Sequence, residues 1–144
     1  MTDERTFIDR YNEISYEIDQ LYTQYAASCS LSDSEMWILY IITLNGGEAT
    51  QSEVCKAFSL NRKTVNSAVT KLEKQEILVR RSGEGKKVIL SLTSSGLELA
   101  ERTVKPLLNA EKQTIKNWSE EERNTLLTLT EKYLDDLRQK LSRP

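Results

Sequence analysis

The chain has 144 residues, 38% apolar and 29% charged, a balance that suits one globular domain with a packed core. It has no histidine and only two cysteines, Cys29 and Cys55. This excludes His-based acid–base chemistry, Ser-His-Asp and Cys-His nucleophiles, His-ligated metals, four-cysteine zinc sites and iron–sulfur clusters. Twenty basic against twenty-two acidic residues give a formal charge of −2, which at face value argues against a nucleic-acid partner.

A first helix is predicted over residues 4–28. Its apolar positions Phe7, Tyr11, Ile14, Ile18, Leu21 and Tyr25 step by three and four, a narrow seam closer to a coiled-coil face than to the wide stripe of a helix lying on a core. Ser32-Asp33-Ser34-Glu35 fits a capping box, in which the serine hydroxyl accepts the third helical amide and Glu35 reaches back to the amide of Ser32. It opens a second helix, about 33–45. No charge interrupts the run from Met36 to Ile42, so this helix is expected at the centre of the core. Gly46-Gly47 ends it. Thr50-Gln51-Ser52-Glu53 repeats the box and starts a short helix to about Phe58. Asn61 is the N-cap of a fourth helix, Arg62 to about Gln75, whose core face is Val65, Ala68, Val69 and Leu72.

The period then changes. Ile77 to Arg81 reads as a strand, and Val88, Leu90 and Leu92 alternate with Lys87, Ile89 and Ser91 in a second one. Ser82-Gly83-Glu84-Gly85-Lys86 between them has glycines that permit a hairpin turn. Thr93 caps a long helix to about Asn117, within which Pro106 lacks an amide donor and can introduce a kink. Ser119-Glu120-Glu121-Glu122 is a further capping box. It opens a last helix, about 120–141, with Leu126, Leu129, Tyr133, Leu137 and Leu141 at helical spacing.

Three helices followed by a hairpin is the element order of a winged helix, and the charge is distributed to match. Residues 60–92 hold eight basic side chains (Arg62, Lys63, Lys71, Lys74, Arg80, Arg81, Lys86 and Lys87) and three acids (Glu73, Glu76 and Glu84). That segment is +5 and the remainder −7. A concentrated basic segment in an acidic chain is the footprint of a DNA-contacting face. On the fourth helix, Lys63, Ser67 and Thr70 project opposite the core face, with Asn66 on the shoulder. Such a helix offers amide and hydroxyl groups for base edges and cations at its margins for phosphate. The hairpin tip, Glu84-Gly85-Lys86-Lys87, is long and basic enough to reach a minor groove. The candidate DNA-binding residues are Arg62, Lys63, Thr64, Asn66, Ser67, Thr70, Lys71, Arg81, Lys86 and Lys87.

Leu60-Asn61-Arg62-Lys63-Thr64-Val65-Asn66-Ser67-Ala68-Val69-Thr70-Lys71-Leu72-Glu73 is similar to the recognition-helix pattern of the multiple-antibiotic-resistance-regulator (MarR) family of transcription factors. Leu92-Thr93-Ser94-Ser95-Gly96 resembles the family's signature of Leu-Thr, two residues, Gly. The wing departs from pattern: the family's Asp-Arg-Arg is Glu84-Gly85-Lys86 here, so the middle arginine is lost and Lys86 offers a point charge in place of a planar fork. The resemblance implies a mainly α fold with a small β-hairpin wing. A winged helix-turn-helix core, residues 31–93, would be flanked by dimerisation helices, 4–28 and 94–141, in a single domain, 1–144. It implies a homodimer on a pseudo-palindromic duplex operator, with recognition helices about one DNA turn, ~34 Å, apart. The first helix's seam and the Leu126–Leu141 stripe, apolar and without a sheet to cover them, agree with a dimer.

The resemblance further implies a repressor relieved by a small, aromatic ligand or, in some members, by oxidation of a cysteine. Tyr22, Tyr25, Trp37 and Tyr40 bracket the junction of the first two helices, near the family's effector pocket. Aromatics there also suit a core or an interface. Cys29, in the polar Ala26–Ser30 connection, is expected to be accessible and is the candidate redox residue, although no cation neighbours it in sequence. Cys55, beside Val54, reads as a buried small hydrophobe. No nucleophile–base pair or phosphate-cradling loop points to an enzyme, and neither cofactor nor metal is expected. No apolar run approaches the ~20 residues of a membrane span. With the acidic-polar start Met1-Thr2-Asp3-Glu4-Arg5, unlike a signal peptide, this points to the cytoplasm and to no membrane partner. A winged-helix module that binds an acidic protein through the basic segment, and a cysteine-based redox regulator, are the alternative readings.

Overall fold

The computed structural model describes residues 2–57 and 60–142. Its elements run α1 (Glu4–Ser28), α2 (Asp33–Leu44), β1 (Glu48–Thr50), α3 (Gln51–Ala57), α4 (Arg62–Lys74), β2 (Leu78–Ser82), β3 (Val88–Leu92), α5 (Ser94–Ile115) and α6 (Glu120–Leu141). The chain divides into two compact units at Pro106, inside α5.

The expected caps close the helices. Ser32 and Glu35 form both arms of their box at 2.8 and 3.1 Å, as do Ser119 and Glu122 at 2.9 and 3.0 Å. Thr50 Oγ1 accepts from the Glu53 amide at 3.0 Å, and Asn61 Oδ1 accepts from the Thr64 amide at 2.7 Å. Thr93 Oγ1 accepts from Gly96 N at 3.0 Å. Each satisfies an amide that the first helical turn leaves without a partner. The third helix's expected end at Phe58 lies outside the described residues, and α5 stops at Ile115, short of Asn117.

The sheet has three strands where the sequence suggests a two-stranded hairpin. Its order is β1-β3-β2, all antiparallel. Ala49 faces Leu90 across one pair and Arg80 faces Leu90 across the other. Three residues, Glu-Ala-Thr, are too few to show alternation, and Thr50 is both strand end and helix cap. Gly46 and Gly47 take φ of +80° and +110°, reversing the chain after α2 so that the Gly47 carbonyl accepts from Leu92 N at 2.9 Å. A residue with a Cβ rarely adopts those angles.

The core of the first unit gathers Ile38, Ile41 and Ile42 of α2, Ala49, Val54, the four apolar residues of α4, Leu78 and Leu90. The predicted α4 face of Val65, Ala68, Val69 and Leu72 is the set that α4 buries. α2 is central as expected, and it also buries Glu35. By contrast, α1 buries only Ala26 among its described residues and α6 buries none. Gly96 sits against the backbone of Ile77: a Cβ there would collide with the Ile77 carbonyl oxygen. The glycine of the Leu-Thr-x-x-Gly segment is therefore required for α5 to start beside β2.

Candidate nucleic-acid interface

With its core face buried, α4 presents Arg62, Lys63, Asn66, Ser67 and Lys71 to solvent, while Thr64 and Thr70 are half-buried. The exposed surface splits along two grooves. On one side Arg62 and Asn66 line a cleft of about 940 Å³ whose other walls are Thr50 to Ser52, Cys55 and Lys56 of the β1–α3 segment, Arg80, and the hairpin from Glu84 to Val88. On the other, Lys63, Thr64, Ser67 and Lys71 face Ser32, Ser34 and Glu35 at the start of α2. The hairpin turns on Gly85 (φ +67°), and Gly83 N donates to Lys87 O at 2.9 Å.

The eight basic side chains of the +5 segment differ in what they face. Glu35, buried to 2% exposure, accepts the Ser32 amide at 2.8 Å and lies 3.5 Å from Lys71 Nζ. A carboxylate taken out of water needs such partners. Arg81 pairs with Glu48 at 2.9 Å, and Ser91 donates to the same carboxylate oxygen at 3.0 Å. The Arg81 bond, then the Ser91 bond, hold the Glu48 carboxyl below its ordinary pKa. Arg80 reaches α4, bonding Asn66 and Thr70, with Nε 3.6 Å from Glu73. Arg62, Lys63, Lys74, Lys86 and Lys87 make no ion pair among the described residues. The uncompensated positive charge thus lies at the N-terminal turn and the last turn of α4 and on the hairpin.

Arg80, not Arg81, lines the candidate site beside α4, although Arg81 is the one expected from sequence. Strand parity distinguishes them: Arg80 shares the face of buried Leu78, directed at α4, whereas Arg81 shares that of exposed Val79. Gln51, whose Nε2 lies 3.5 Å from Asn66 Oδ1, carries no comparable sequence signal.

The aromatic candidates divide. Tyr22 and Trp37 ring centroids are 5.0 Å apart and Trp37 and Tyr40 5.2 Å apart. Tyr25 turns to α5, where its hydroxyl donates to the Thr103 carbonyl at 2.6 Å; burial, then the neighbouring Cys29, push its pKa up. Cys29 is half-buried, with Sγ 4.0 Å from Ser28 Oγ. Cys55 is half-buried rather than buried, touching the core on one side and lining the hairpin cleft on the other. No group of three or more His, Cys, Asp or Glu is placed to hold a metal among the described residues. No described helix is long and apolar enough to cross a membrane.

Residues 30–87 match the model of the MarR family. No curated protein matches the chain in sequence. Among solved structures, a MarR family regulator from Neisseria meningitidis superposes with a TM-score of 0.81 at 18% identity, covering 94% of this chain and 96% of that one. The MepR–DNA complex of S. aureus gives 0.74 at 23% identity, covering 94% and 99%. The organohalide-sensing regulator RdhR in its 2,4-dichlorophenol-bound form gives 0.64 at 19% identity, covering 97% and 82%. Residues 30–87 are thus similar in sequence to the MarR family, and the fold is like that of MarR family regulators over nearly the whole chain.

Proposed function

We propose that this chain is a dimeric transcriptional regulator that binds duplex DNA sequence-specifically through α4 and the β2–β3 hairpin. The observation that carries the reading is the pairing of an α4 whose apolar half is wholly buried with an opposite half of Lys63, Asn66 and Ser67, beside a hairpin bearing unpaired Lys86 and Lys87. A helix of that kind fits a major groove, with the flanking cations on phosphates, and the hairpin tip fits the adjoining minor groove. The likeness to a regulator solved on DNA supports it.

Arg62, Lys63, Lys86 and Lys87 supply phosphate contacts in this reading, with Lys71 and Arg81 anchoring α4 and the hairpin to the core as well. Thr64, Asn66, Ser67 and Thr70 form the polar surface that meets the bases. The exposed seams of α1 and α6 supply the dimer contact, and the core 31–93 with its flanking helices 4–28 and 94–141 functions as one domain of 1–144. Repression relieved by a small aromatic ligand at Tyr22, Trp37 and Tyr40, with Tyr25 at its edge, is the form of regulation the fold suggests, supported by the dichlorophenol-bound relative. No cofactor is assigned, and Cys29 stays a candidate redox residue.

Gel-shift titration on the duplex upstream of the chain's own coding sequence tests the assignment. The wild type is expected to shift it, and joint replacement of Lys63 and Ser67 by alanine to weaken binding at least tenfold with unchanged thermal stability. Undiminished binding by that variant refutes the recognition-helix role. Retention of an acidic protein with no shift on DNA supports the protein-interaction alternative instead.

A further inference from the structure

The polar face of α4 is locked from outside the helix. Arg80 donates from Nη1 to Asn66 Oδ1 at 2.9 Å and from Nη2 to Thr70 Oγ1 at 2.6 Å. The Thr70 hydroxyl donates in turn to the Asn66 backbone carbonyl at 2.9 Å, and Gln51 Nε2 lies 3.5 Å from the same Asn66 Oδ1. A guanidinium carries donors only, so the amide atom facing it has to be the oxygen. Both lone pairs of that oxygen have a donor within reach, and the Thr70 proton is already engaged. Asn66, which is exposed, is left with its NH₂ group for anything that enters the cleft. Asparagine reads adenine by presenting an acceptor and a donor together to N6 and N7. In this arrangement the acceptor half of that pair is occupied.

We infer that Arg80 is a specificity-determining residue acting through Asn66: it holds Asn66 as a donor-only reader of major-groove acceptors such as the N7 that both purines share, so that the facing position does not distinguish adenine from guanine and disfavours cytosine. The inference rests on the duplex-DNA reading above. Arg80 itself is half-buried with Nε enclosed and without a hydrogen-bond partner, which makes it a positioning residue and not a base contact.

A pool of duplexes with a randomised centre, retained on the full-length chain and sequenced, tests this. For the wild type, one position should recover adenine and guanine within about threefold of each other and be depleted in cytosine. Arg80→Leu frees the amide oxygen, and adenine should then exceed guanine by roughly tenfold. Asn66→Asp, a surface change, keeps an oxygen toward Arg80 and offers the duplex an acceptor, so the position should move toward cytosine, whose N4 is a donor. A wild type that already selects adenine tenfold over guanine, or a folded Arg80→Leu variant with an unchanged profile, overturns the inference. If Arg80→Leu does not fold, Asn66→Asp decides: a shift to cytosine supports it, and a position that merely flattens overturns it. A wild type that retains no duplex at all refutes the DNA reading itself, and this inference falls with it.

Discussion

Glu48 shows how a single side chain ties the hairpin to the rest of the sheet. Its carboxylate accepts from Arg81 of β2 and from Ser91 of β3 while its own backbone pairs with β3. The native pKa lies below the ordinary glutamate value, so the charged form is favoured by folding. Its contribution is complete above the unfolded pKa and is lost as pH falls through the lowered native value. Because Glu48 is exposed, the effect on global stability is small and salt-sensitive. The direct readout is an NMR titration of the Glu48 carboxyl: Arg81→Ala should raise its pKa toward the unperturbed value, and an unmoved titration would contradict the pairing. Tyr25 is a second case. Removing its hydroxyl in Tyr25→Phe deprives the Thr103 carbonyl of a 2.6 Å bond and should cost about 1 kcal/mol in chemical denaturation.

At the scale of elements, what could be read in advance was what local chemistry determines. The span of α1, the capping boxes at Ser32 and Ser119, the buried face of α4 and strand β3 follow from side chains within a few residues of one another. β1 was not legible, because a three-residue strand exists only through its pairing with Ser91, Leu90 and Ile89, some forty residues onward. The burial of Glu35 was hidden for the same reason: its lysine partner is 36 positions away. The choice between Arg80 and Arg81 was legible in principle, through the two-residue period of β2, once Leu78 is placed in the core. The Leu-Thr-x-x-Gly segment shows the converse, a pattern visible in the sequence whose reason is spatial. Gly96→Ala should destabilise the first unit by about 1–3 kcal/mol, since the added methyl must displace the Ile77 carbonyl. Thermal unfolding checks this, and a neutral substitution would show that α5 and β2 are not held that closely.

For the whole molecule, two features of the sequence acquire their meaning only from the structure. The apolar seams remain uncovered by the chain itself: Phe7, Ile14, Ile18 and Leu21 on α1 are between 43 and 64% exposed, and Leu126, Leu129, Leu137 and Leu141 on α6 between 39 and 73%. Exposed apolar residues at helical spacing on each helix are what an association face would use. Sedimentation should return the mass of two chains, and Leu129→Asp with Leu137→Asp should shift it toward one. The net charge of −2 averages a basic segment, residues 60–92, with an acidic remainder. Within residues 60–92, the basic side chains that make no ion pair among the described residues are Arg62, Lys63, Lys74, Lys86 and Lys87. In the proposed DNA-binding role the acidic remainder would disfavour indiscriminate adhesion to DNA, leaving attraction to that small group. The most direct measurement is therefore the affinity for the upstream duplex and for an unrelated duplex across a series of salt concentrations. Affinity for the upstream duplex is expected to fall steeply with salt, with a logarithmic slope of about −3 or steeper from counterion release, while exceeding that for the unrelated duplex at every salt concentration. A flat salt response, or equal affinity for the two duplexes, would contradict it.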